Sequence, residues 1–206
     1  MRALKPALGF ILLFSFTRGF ASAGTHAAVP ESEYFDLVLC RPAATSITIS
    51  LLPHRSLMVY CEYRTTAATN MLGNEVRTVE AGMPTSFVLH DLSPDTPYTY
   101  RIRFREIGSG EYTAGDDHFF HTQRARGSSF TFTIEADPHL YDKKGCHNLM
   151  RIALQNQAKD HPDFMLDLGD TFGDDHNPFT ITQAEIEQLH IDMRSFFGAV
   201  CPSIPL

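Results

Sequence analysis

The sequence predicts two domains in series: an all-β sandwich over residues 34–122, then the opening βαβα of an α/β domain over residues 129–206. Three observations carry this reading. Short β-rich runs alternate with turn residues through the first half, and from residue 129 the spacing changes to strand, helix, strand, helix. Both later strands run into polar strings, Ala136-Asp137-Pro138-His139 and Leu168-Gly169-Asp170-Thr171.

Before the sandwich, residues 1–23 combine basic Arg2 and Lys5, an apolar stretch from Ala7 to Phe16 and the small-residue site Ala21-Ser22-Ala23, the parts of a secretory signal. Its apolar stretch falls well short of the roughly 20 residues that span a bilayer. The expectation is a secreted or periplasmic protein with no transmembrane segment after signal cleavage. Loss of residues 1–23 removes three basic groups and takes the formal net charge from -7 to about -10. With that charge and no basic stripe, a nucleic-acid-binding patch is not expected. An apolar fraction of 43% is ample for a packed core and excludes a disordered chain.

In the sandwich, the β-rich runs are 35–39, 46–51, 57–63, 76–79, 85–89, 98–104 and 119–122. Seven short strands separated by turns fit a two-sheet domain of about ninety residues. Leu92-Ser93-Pro94-Asp95-Thr96-Pro97-Tyr98-Thr99-Tyr100 places a Pro-containing turn just before a strand that opens on tyrosine, the setting of a tyrosine corner made by Tyr98 or Tyr100. The chain has no Trp, which argues against an antibody-type core. Its four cysteines are Cys40, Cys61, Cys146 and Cys201, none at C-x-x-C spacing. Export permits disulfides, and Cys40 with Cys61 is the favoured pair because both fall on sandwich strands; two buried free thiols are the alternative.

Residues 123–128 carry Arg124, Arg126 and Gly127 without apolar periodicity and read as a linker. After it, Phe130, Phe132 and Ile134 alternate with threonines, so 129–136 reads as a buried strand. A helix is expected over 146–159, a second buried strand over 163–168 and a second helix over 183–197. Thr182-Gln183-Ala184-Glu185 forms a capping box ahead of Ile186, Leu189, Met193, Phe196 and Phe197 at helical spacing, a face expected to pack in the core. The apolar residues at 201–206 read as the start of a further strand.

In open α/β sheets ligands bind beyond the carboxyl ends of strands, which is where Asp137, His139 and Asp170 lie. Two carboxylates and an imidazole offer the hard oxygen and nitrogen donors that divalent cations take. Asp137-x-His139, a helix and then Gly169-Asp170 resembles the first two motifs of the calcineurin-like metallophosphoesterases. The region before it resembles the fibronectin-type sandwich that precedes the catalytic domain in purple-acid-phosphatase-like enzymes. That family's set continues with Gly-Asn-His-(Asp/Glu), a lone His and Gly-His-x-His, none of which occurs here, so the chain reads as an N-terminal fragment.

The resemblance implies two divalent or trivalent metal ions, with Fe, Mn or Zn the natural candidates. It makes Asp137 and His139 ligands of the first ion and Asp170 the bridge. The reaction it implies is hydrolysis of a phosphate mono- or diester by a water that the metals activate. Gly173 stands where purple acid phosphatases carry a tyrosine ligand, so the violet iron chemistry is not expected. Asp167, Asp174, Asp175 and His176 are candidates for supporting the ligands or shaping the entrance, against the alternative of solvated positions. No role follows for His118, His121 or His147, and oligomeric state is not legible. A different reading makes the chain a noncatalytic extracellular interaction module with a structural α/β segment.

Overall fold

A computed structural model of the chain describes residues 30–142, 145–172 and 181–206. The signal-like segment 1–23 and residues Gly173, Asp174, Asp175 and His176 lie outside the described residues, as do Lys143 and Lys144.

Among the described residues, a single 3-10 turn, Glu31–Glu33, precedes nine strands: β1 (Phe35–Cys40), β2 (Ile47–Pro53), β3 (Leu57–Thr65), β4 (Leu72–Gly73), β5 (Arg77–Val79), β6 (Thr85–Leu89), β7 (Pro97–Glu106), β8 (Thr113–Ala114) and β9 (His118–His121). One sheet runs β1-β2-β6 and the other β4-β3-β7-β8, with β5 also paired to β3 and β9 to β7. Alternation sets the core: Leu37 and Leu39 of β1, Ile47, Ile49 and Leu51 of β2, Val59 and Cys61 of β3, and Tyr100, Ile102 and Phe104 of β7 all meet between the sheets. Each such side chain contributes about 1.5–3 kcal/mol of apolar burial.

The turn before β7 is a tyrosine corner, in which the Ser93 backbone N–H donates to the Tyr98 hydroxyl at 2.8 Å. Tyr100, equally eligible by sequence, instead donates its hydroxyl to the Pro202 carbonyl at 2.7 Å.

Residues 123–128 hold no regular element, and the second unit follows as β10 (Phe132–Glu135), α1 (His147–Lys159), β11 (Phe164–Asp167) and α2 (Gln183–Phe197). β10 and β11 pair in parallel, with Phe132 opposite Phe164 and Glu135 opposite Asp167. The capping box at α2 forms as read from the sequence: Thr182 N–H donates to Glu185 Oε2 at 2.7 Å, and Glu185 N–H donates to Thr182 Oγ1 at 3.3 Å. Phe196 and Phe197 at the end of that helix are buried with Met150 and Leu154 of α1 and Met165 of β11.

Three expectations need correction. Both strands of the second unit were expected to be buried, yet Phe132 (44%), Ile134 (51%) and Leu166 (40%) are exposed. The helices cover only the face that carries Thr133, Glu135, Met165 and Asp167, and a period-2 pattern does not say which face its partner layer takes. Residues 201–206, expected to begin a strand, have irregular backbone. They are nonetheless held on both sides: Leu39 N–H donates to Cys201 O at 2.9 Å, Leu206 N–H to Leu39 O at 2.8 Å and Met165 N–H to Pro205 O at 2.7 Å. Two prolines, Pro202 and Pro205, deny this segment the donors that a ladder needs.

The third correction is the Cys40–Cys61 disulfide, since all four thiols are free. Cys61 points into the sandwich core, whereas Cys40 shares the phase of Val38, which faces outward into the cluster around α2. The two thiols belong to different sheets, one facing into the sandwich and the other away from it, and do not bridge without moving the backbone. Burial pushes the Cys61 thiol far up, and it pushes the Cys201 thiol up to about 12 against the opposing pull of Arg194.

The two units are fastened together. Arg194 of α2 reaches the sandwich, donating from Nη1 to Ser50 Oγ at 3.0 Å and from Nη2 to Ser50 O at 2.8 Å. Val38 of β1 belongs to the helical cluster rather than to the sandwich core.

Candidate metal centre

The parallel ladder of β10 and β11 does not stop where the strands do. Leu168 N–H donates to Glu135 O at 2.9 Å, and then the loop after β10 leans on the loop after β11. Asp137 N–H donates to Gly169 O (3.1 Å), His139 N–H to Asp170 O (3.2 Å), Leu140 N–H to Thr171 O (3.0 Å) and Tyr141 N–H to Phe172 O (3.0 Å). Four consecutive bonds fix one loop against the other, so the side chains between them are held in mutual register.

Within this zipper the backbone is unusual. Asp137 (φ 54°), His139 (φ 42°), Asp170 (φ 54°) and Gly169 (φ 95°) all sit in the left-handed region. Glycine adopts it freely, while Asp and His do so at a cost. The outcome is that Asp137, His139 and Asp170 converge, each offering one donor atom, with all three atoms within 4.8 Å of one another. His139 Nε2 lies 3.7 Å from Asp137 Oδ1. Asp137 and Asp170 are exposed and His139 half-buried, so the cluster opens to solvent.

The residues around it divide by what they touch. Asp167, at the end of β11, accepts from Gly169 N–H through Oδ1 at 2.9 Å and from the Thr171 hydroxyl through Oδ2 at 3.1 Å. Thr171 was not anticipated from the sequence, although a hydroxyl one place beyond Gly-Asp is the available signal. Gly145 was missed too: a Cβ there would fall on the carbonyl oxygens of His139 and Leu140, so the chain closes against the back of the first loop only because this position has no side chain.

Tyr141 donates its hydroxyl to Asp192 Oδ2 of α2 at 3.2 Å; burial first, then that carboxylate, pushes the hydroxyl's pKa upward. His147 is packed edge-on against Tyr141 and Phe196. His118 and His121 lie elsewhere, in a cleft of about 740 Å³ between β9 and the second unit that includes none of the three donors. Polar side chains there pair with each other, His118 with Glu31 at 2.6 Å and Arg124 with Asp163 at 2.8 Å.

No protein-family model matches the chain, and no curated protein matches it. Among solved structures, that of PhoD superposes with a TM-score of 0.57 at 16% identity, covering 82% of this chain and 37% of PhoD. The fold is that of PhoD over this stretch, and the chain spans little more than a third of the PhoD structure. A fibronectin type III domain of human collagen XX overlaps 43% of the chain at 23% identity, with 88% of that domain covered and a TM-score of 0.34.

Proposed function

We propose that Asp137, His139 and Asp170 bind a metal ion, and that the chain is the N-terminal part of an exported metal-dependent phosphoesterase. The observation that carries this is the convergence of two carboxylates and an imidazole on loops that hold all three in left-handed backbone. Strain of this kind persists where the surroundings impose it, and it gathers at functional sites. The donor set fits: hard oxygens with one imidazole suit Mn, Fe or Zn, and the cluster is open enough for further ligands. A PhoD-like fold around the site supports phosphoester hydrolysis as the reaction class.

Asp137 and His139 would hold one ion, Asp170 would be shared with a second, and the remaining ligands would come from sequence beyond residue 206. Bound metal would supply charge neutralisation for a phosphoryl group and an activated water. The chain's own contribution is to keep two negatively charged side chains and one ring close together before any cation arrives. Phosphate mono- and diesters are the proposed substrates, and secretion or a periplasmic location follows from residues 1–23.

Titration of the chain with Mn²⁺ or Co²⁺ tests the site. One ion should bind, and Asp170→Asn should abolish that binding while leaving the fold intact. The longer protein, with downstream Gly-Asn-His-(Asp/Glu) and Gly-His-x-His motifs, should hydrolyse aryl phosphates after metal addition, while this fragment should not. Absence of those motifs from the continuing reading frame would overturn the enzymatic reading.

A further inference from the structure

We propose that Asp167 and Thr171 are positioning residues that set the three donors in place before a cation binds. This rests on the metal-binding reading of Asp137, His139 and Asp170. Asp170 lies between Gly169 and Thr171, and Asp167 brackets it, accepting from Gly169 N–H on one side at 2.9 Å and from the Thr171 hydroxyl on the other at 3.1 Å. Gly169 and Asp170 are both left-handed, so the backbone reverses its ordinary twist over two residues. An aspartate without such support would relax towards extended or right-handed backbone.

Thr171 does two jobs at once. Its hydroxyl is tied to the end of β11, and its carbonyl accepts Leu140 N–H at 3.0 Å from the opposite loop. It is only 4% exposed, so water does not compete for either bond. Through this one buried residue, the strand that leads into Asp170 also fixes the loop that carries Asp137 and His139. Asp170 O, accepting from His139 N–H at 3.2 Å, adds a second tie that depends on the same segment. An ordinary Asx turn after a strand would explain the Gly169 bond; it would not explain a buried threonine that joins both donor loops.

The test uses the chain with Thr171→Val, which keeps shape and removes the hydroxyl, Thr171→Ser, which restores it, and Asp167→Asn, which retains one acceptor. Co²⁺ affinity and the visible spectrum of bound Co²⁺ are read alongside the apo melting temperature. Loss of a hydrogen-bonded support behind a ligand typically weakens metal binding about 10–100-fold. Thr171→Val should fall in that range with an altered spectrum, Thr171→Ser should recover to within about threefold of wild type, and Asp167→Asn should be intermediate. Amide exchange without metal should speed up at Gly169–Phe172 and at His139–Tyr141 in Thr171→Val.

Wild-type affinity and unchanged exchange in Thr171→Val would overturn the positioning role and leave the metal site standing. A wild-type chain that binds no Co²⁺ would overturn the metal reading and this role with it, even if exchange quickened. Should Thr171→Val fail to fold, Asp167→Asn alone decides by the same affinity and exchange criteria.

Discussion

The sandwich and the second unit use the same local pattern, alternating apolar and polar residues, for opposite ends. In the sandwich, the inward residues of both sheets close on one another and Leu39, Ile49, Leu51, Leu57 and Val59 are wholly buried. In the β10–β11 pair one face is covered by helices, the other leaves Phe132 and Ile134 half in water, and the strand ends carry left-handed Asp and His. The first region converts sequence into stability. The second draws on that stability to hold a strained, solvent-open arrangement of donors.

The comparison breaks most visibly at the sandwich core. Phe87, 1% exposed at the centre of β6, should cost about 3–5 kcal/mol when replaced by Ala. Chemical denaturation would measure it, and Co²⁺ affinity of the folded fraction should not change. A coupled loss of affinity would mean that the two regions are not energetically distinct.

At their junction, Tyr100→Phe should cost about 1–3 kcal/mol, because the part-buried Pro202 O would lose the donor that wholly buried Tyr100 supplies. The same variant carries a pH signature. Burial raises the Tyr100 hydroxyl well above 10, with Cys61, Glu31 and Cys201 adding to it. The folded state therefore favours the neutral phenol, and its contribution is fully present below the unfolded pKa near 10 and is lost as pH climbs towards the folded value. Wild type should lose stability from about pH 9 upward, where the raised Cys61 and Cys201 thiols begin to count, and Tyr100→Phe should lose less than wild type above about pH 10. Identical alkaline limbs would remove Tyr100 from the account.

Gly145→Ala probes the second region on its own. A methyl group there meets the carbonyls of His139 and Leu140, both backbone atoms that yield only if the loop moves. Overpacking of this kind costs about 1–3 kcal/mol, with the added expectation of weakened Co²⁺ binding because His139 moves with its carbonyl. Unchanged affinity would show that the loop relaxes away from Gly145 without disturbing the donor.

How much of this could be read in advance differs between the regions for physical reasons. The seven longer strands of the sandwich were legible because period-2 burial and Pro-containing turns are local signals, whereas the two-residue β4 and β8 are too short to carry a period; the Tyr98 corner follows from a spacing of five residues to Ser93. The Cys40–Cys61 pairing failed because sequence separation does not say which sheet, or which face of it, each residue takes. Phe132 and Ile134 were assigned to a core for a related reason: alternation marks two faces without naming the covered one.

At the site, Asp137, His139 and Asp170 were legible as chemistry at strand ends. Their left-handed backbone, the loop-to-loop zipper and the Asp167–Thr171 bridge were not, because each depends on two segments meeting. Gly145 is a case of its kind, since only the folded path of residues 139–140 makes a side chain there impossible.

The smallest effect discriminates best. Asp170→Gly removes the donor but suits the backbone, since glycine accepts a φ of 54° without penalty. A left-handed non-glycine residue costs about 1 kcal/mol, less for Asp than for bulkier side chains, while glycine returns about 0.5–1 kcal/mol of entropy to the unfolded chain. The two nearly cancel, and relief of repulsion between the Asp137 and Asp170 carboxylates tips the balance slightly towards the variant. Stability should therefore stay within about 1 kcal/mol of wild type and lean upward, while Co²⁺ binding disappears. Asp170→Asn keeps the strain and loses the charge, so it should fall below Asp170→Gly in stability with the same loss of metal. If Asp170→Gly instead unfolds the second unit, the carboxylate is structural there, and the strain at the strand ends has nothing to do with holding an ion.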